Sequence, residues 1–75
     1  MKKRQVVLDN KIIGDRIRQQ RYKKKLTGKQ LADLCSISEQ AIRMYEHGYR
    51  RPLDSIKVAI CNNLGTSVQK IFFSE

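Results

Sequence analysis

The sequence predicts an all-α fold of five short helices in a single domain. Apolar residues recur at the three- and four-residue spacing of amphipathic helices. Clear start signals precede these runs. Thr27, with Gln30 three residues later, is a capping box in which hydroxyl and amide each satisfy a free backbone donor. Ser38 and Ser67 are good N-caps. Gly48 and Gly65 supply the left-handed stops that end many helices. The 75 residues allow one domain. A domain this small buries only about 60% of its unfolded surface, so local signals must specify much of the structure.

Taken in order, Met1-Lys2-Lys3-Arg4-Gln5 is a short basic tail. It fits either a solvated terminus or an arm that lies along phosphates or enters a minor groove. Val6-Val7-Leu8 is apolar and fits packing back on the domain or a short strand; the sequence does not decide between them. Residues 1–8 are assigned to the tail and 9–75 to the domain. Asp9 or Asn10 caps the first helix, which runs to about Lys24 with Ile13 and Ile17 as its apolar stripe. Arg16, Arg18, Lys23, Lys24 and Lys25 crowd its exposed faces and last turn, where cations suit the negative helix end.

Residues 27–48 organise the chain. Leu31, Ala32, Leu34 and Cys35 line one face of the second helix, and the pattern pauses at Ser36-Ile37. The third helix spans about residues 38–47. With about 100° per residue, Ser38, Ala41, Ile42 and Tyr45 share one side and Glu39, Gln40, Arg43 and Met44 the other. The second set carries the chemistry needed to read base edges in a DNA major groove. Gln matches adenine, Arg guanine, Glu can accept from cytosine, and an apolar tip meets a thymine methyl. Taken alone, four such residues also fit a solvated helix face. Tyr49-Arg50-Arg51-Pro52 then forms a short basic loop. The fourth helix starts at Asp54 or Ser55, with Ile56, Ile60 and Leu64 facing the core, and Asn62-Asn63-Leu64-Gly65 ends it. The fifth runs from Val68 to about Phe73, and Val68, Ile71 and Phe72 can close the core.

The ordered landmarks resemble the helix-turn-helix of phage repressors and Cro proteins. They are Arg21 before Leu26-Thr27, Leu31-Ala32, Ile37-Ser38, Ile42, Glu46-x-Gly48-x-x-x-Pro52, Leu64-Gly65-x-Ser67 and Ile71-Phe72. The similarity runs from about Ile13 to Phe72. Three positions depart from the family pattern: Lys25 and Ser36 stand where Gly is common, and Gly28 where Gln is usual. A left-handed Ser36 costs strain. The resemblance implies a compact five-helix DNA-binding domain and a largely buried ion pair between Arg21 and Glu46. The residues agree, because Glu46 follows core-facing Tyr45 and a buried carboxylate needs a partner.

Charge points the same way. The net charge is +9, and residues 1–51 hold 14 of the 16 Lys and Arg against 5 of the 7 acids. Residues 52–75 hold two of each and are neutral. A basic front suits a polyanion and a neutral back suits protein, although basic charge alone does not select among polyanions. Phosphate contacts are expected from Lys29, Arg50, Arg51, Tyr49 and His47, with Gly28 contributing its amide at the second helix's start. Ile71, Phe72 and Phe73 are the expected dimer contact.

Cys35 and Cys61 lie singly on apolar faces, so no metal ligand set is expected and both read as buried thiols. No cofactor is expected. One His, no Gly-rich phosphate loop and no room for a sizeable pocket argue against an enzyme. No stretch approaches the ~20 apolar residues of a membrane span, and the N-terminus lacks a signal-peptide core, so a cytoplasmic protein is expected. The sequence thus indicates a sequence-specific double-stranded DNA-binding regulator, a phage or mobile-element repressor. It would act as a homodimer on an inverted-repeat operator, weakly paired without DNA. The alternative is an antitoxin-like adaptor that uses the same fold to bind protein. RNA binding ranks third, with Tyr22 and Tyr49 as the candidate stacking residues.

Overall fold

The computed structural model describes residues 6–74. Five helices are present: α1 (Asn10–Lys23), α2 (Gly28–Cys35), α3 (Glu39–Glu46), α4 (Asp54–Leu64) and α5 (Val68–Phe72). The strands β1 (Val6–Val7) and β2 (Phe73–Ser74) pair antiparallel, Val6 opposite Ser74 and Val7 opposite Phe73. Residues 6–8 therefore belong to the folded unit rather than to the tail; the basic residues 1–5 lie outside the described residues.

Four helix starts are fixed by side-chain caps. Asp9 accepts from the N–H of Ile12, Ser38 from Ala41 and Ser67 from Lys70, and Thr27 and Gln30 form the reciprocal box. Leu53 precedes α4 without a side-chain cap.

The ends are equally regular. In α1 to α4 the chain turns left-handed just past the helix, at Lys25, Ser36, Gly48 and Gly65. At each, the next amide reaches back five residues: Leu26 to Arg21, Ile37 to Ala32, Tyr49 to Met44, Thr66 to Cys61. This closes carbonyls that would otherwise be orphaned. Lys25 (φ 57°) and Ser36 (φ 59°) adopt this conformation without being glycine. For residues with a Cβ it costs roughly 1–2 kcal/mol.

Every helix contributes to one core. Ile13 and Ile17 of α1, Leu31 of α2, Ile42 of α3, Ile60 and Leu64 of α4, and Ile71 and Phe72 of α5 are all buried. Burial of each such side chain stabilises the fold by about 1.5–3 kcal/mol. Leu34, expected on the buried face of α2, is instead 53% exposed. Leu31, Ala32 and Cys35 centre the buried stripe, and Leu34 sits about 110° around the helix from that centre. It lines a shallow hollow with Leu26, Gln30 and Asp33.

Cys35 and Cys61 are buried free thiols. Burial pushes both above the ordinary thiol value, Cys61 to about 11.

Candidate nucleic-acid interface

Helix α3 owes its orientation to three buried residues. Ile42, Tyr45 and Glu46 face inward. Glu39, Gln40 and Arg43 are exposed and Met44 is half-buried at the margin. All four lie on one outward side, and Glu39 pairs with Arg43 one turn on, at 3.8 Å.

The anchor is the ion pair. Arg21 donates from Nε to Glu46 Oε2 at 2.7 Å and from Nη2 to Oε1 at 2.8 Å, and its Nη1 donates to the Leu26 carbonyl at 3.0 Å. Their side chains are only 12% and 6% exposed. Two parallel charge-assisted bonds hold both orientation and distance. The hydrogen bond to Glu46 holds the guanidinium above its ordinary pKa, although burial acts in the other direction. One residue thus fastens α1 to α3 and closes the end of its own helix.

A contact that the sequence did not signal lies beside it. Gly14, in the middle of α1, is buried where α1 crosses α3, and a Cβ there would lie 2.5 Å from the carbonyl oxygen of Tyr45. A glycine inside a helical pattern ordinarily lowers confidence in a helix. Here it marks a close crossing.

The residues expected to meet phosphate divide into two groups. Lys29 and Arg50 are exposed, Lys29 within 3.7 Å of Asp33 in a solvated pair. Arg50 borders a hollow with Ser38, Gln40, Ala41 and Met44, beside the outward face of α3. Gly28 lines another with Glu39 and Arg43, so the start of α2 adjoins that face.

Arg51 differs from the free donor expected. Its Nε binds Asn10 Oδ1 and its Nη2 the Leu8 carbonyl, each at 3.0 Å. Two of its N–H groups are therefore committed to fastening the loop to the start of α1. Gly48 helps there, because a Cβ at that position would lie 3.0 Å from the Cα of Lys11.

His47 engages the Arg43 carbonyl through Nδ1 at 2.8 Å and stacks against Tyr49, with ring centroids 5.9 Å apart. At the other end of the molecule, Ile71 and Phe72 are each 1% exposed. They serve the chain's own core, so of the expected dimer residues only Phe73 reaches the surface.

Among the described residues no group of His, Cys, Asp and Glu is placed to hold a metal ion, and no helix is long and apolar enough to cross a membrane.

Comparison with known proteins gives a consistent picture. A family model described as helix-turn-helix matches residues 17–71. The clp gene regulator ClgR from Corynebacterium glutamicum is similar in structure, with a TM-score of 0.80 and 25% identity over 85% of this chain and 68% of that one. The P22 c2 repressor, solved with a synthetic operator, gives 0.78 and 27% over 80% and 91%. The restriction-modification controller protein C.AhdI from Aeromonas hydrophila gives 0.78 over 83% and 94%, and at 22% identity it speaks for the fold alone. No curated protein sequence matches the chain. The chain belongs to the Cro/C1-type helix-turn-helix family of DNA-binding regulators.

Proposed function

We propose that the protein binds a specific double-stranded DNA site by placing α3 in the major groove, and that it represses transcription from a phage or other mobile element. The observation that carries this reading is the two-sided character of α3. Ile42, Tyr45 and Glu46 are locked into the domain, while Glu39, Gln40, Arg43 and Met44 project together beside exposed Arg50 and the start of α2, where Lys29 is also exposed. Side chains that discriminate bases are thus held on a rigid helix, with cations beside them to meet the phosphates. The likeness to the P22 c2 repressor, solved with a synthetic operator, supports the same assignment.

One recognition helix covers only a few base pairs, so selectivity calls for two copies. A two-fold pair would place its α3 helices in successive major grooves about 34 Å apart, on half-sites about 10 base pairs apart. The neutral C-terminal end can approach a second copy without the repulsion that the basic fronts would feel. Residues 52–75 carry two cations and two acids.

Selection of bound sites from random duplex DNA tests the proposal. An enriched inverted repeat is expected. Retention of DNA without any enriched sequence would overturn sequence-specific recognition.

A further inference from the structure

The left-handed endings of α1 to α4 usually bring with them an apolar contact, made by the residue just beyond the turn against the helix. Leu26 after α1 and Ile37 after α2 are partly buried and packed against the core in this way. After α3 the residue is Tyr49. Its amide donates to the Met44 carbonyl at 2.9 Å as the motif requires, yet its side chain remains 73% exposed. The ring is held by His47, whose plane lies within 11° of it. The burial this motif uses after α1 and α2 does not account for the ring's position.

Its surroundings do. Tyr49, His47 and Met44 line a hollow of about 240 Å³ together with Gln40 and Arg43. The hollow lies at the outward side of α3, and two rings and a thioether supply its apolar surface. Gln40 and Arg43 bring groups suited to purine edges. In a major groove the apolar group that bases present is the C5-methyl of thymine; the other features are hydrogen-bond donors and acceptors.

On the reading of α3 as the groove-inserted helix, we infer that this hollow receives the methyl group of a thymine in the operator, with Met44 and Tyr49 as the residues that select it. Tyr49 is then a base-reading residue as well as part of the basic loop. The methyl belongs to a base pair adjoining the purine that Gln40 or Arg43 reads.

The test compares the selected site with duplexes in which deoxyuridine replaces thymidine at one position at a time, a change of one methyl group. At one position per half-site, wild-type binding is expected to weaken about four-fold, the worth of burying one such group. The difference should shrink toward unity in Tyr49→Ala and in Met44→Ala. It should persist in Tyr49→Phe, which keeps the ring and loses only the hydroxyl.

Equal affinity for thymidine and deoxyuridine duplexes at every position overturns the inference. So does a difference that survives both alanine variants. So does a difference that vanishes in Tyr49→Phe, which would trace the discrimination to the hydroxyl rather than to the ring. A wild-type protein that shows no preferred site at all would instead overturn the placement of α3.

Discussion

Gly14 and Tyr45 meet backbone to backbone, with space for no side chain between α1 and α3. Alanine ordinarily stabilises a helix interior over glycine by about 0.5–1 kcal/mol. Here the contact reverses the sign. Gly14→Ala is expected to lower stability by about 1–3 kcal/mol, the range for overpacking, and to weaken DNA binding by displacing α3. Urea unfolding reads the first effect. A raised midpoint would show that α1 can shift at no cost.

Glu46→Gln keeps the shape of the side chain and removes its charge. Arg21 is then left buried and uncompensated. The expected loss is about 3–5 kcal/mol, as for removal of one partner of a buried pair. A loss below about 1 kcal/mol, the level of exposed pairs, would show that the two groups are effectively solvated.

Gln40→Ala is expected to weaken binding to the selected site by about 1–3 kcal/mol, the worth of one bidentate base contact. Binding to random duplexes should change much less. Titrations on both DNAs decide the point, since equal losses would place Gln40 on the backbone.

Lys29→Ala and Arg50→Ala are expected to weaken specific and non-specific binding alike. Each should reduce the slope of log affinity against log salt by about 0.9. An unchanged slope in both would remove these cations from the interface. Arg51→Lys is expected to act differently, because a lysine cannot hold Asn10 and the Leu8 carbonyl with one planar fork. Its mark should be a lower thermal midpoint.

Phe73→Asp is expected to leave single half-site binding intact while abolishing cooperative occupation of the inverted repeat. Footprinting reads the cooperativity and thermal unfolding confirms that the domain stays folded. A wild-type footprint over both half-sites would place the dimer contact elsewhere.

Much of the fold was legible because local chemistry decides it. The caps at Asp9, Thr27, Ser38 and Ser67 and the stops at Gly48 and Gly65 act within one helical turn, and such signals can be read directly from the chain. What the sequence hid depends on partners distant along it. Gly14 has meaning only once α3 crosses over it. Arg51 looks like any loop cation until Asn10, 41 residues away, is brought beside it. Leu34 shows the limit of spacing rules, since a residue beside the buried stripe is apolar in sequence and wet in the structure. Ile71 and Phe72 show the reverse, because an apolar run at a chain end cannot reveal whether its own core or a partner will claim it.

Leu8 joins two parts of the molecule through a single residue. Its N–H donates to the Phe72 carbonyl at 3.3 Å, and its own carbonyl accepts from Arg51. The loop after α3 and the last turn of α5 are thereby bonded to the same short stretch of main chain. The two surfaces are thus linked through hydrogen bonds to one residue, whose side chain packs against the core. Immobilising the Arg50-Arg51 loop on DNA should accordingly slow hydrogen exchange at the Leu8 amide, and fraying of the C-terminal strand should loosen the loop from behind.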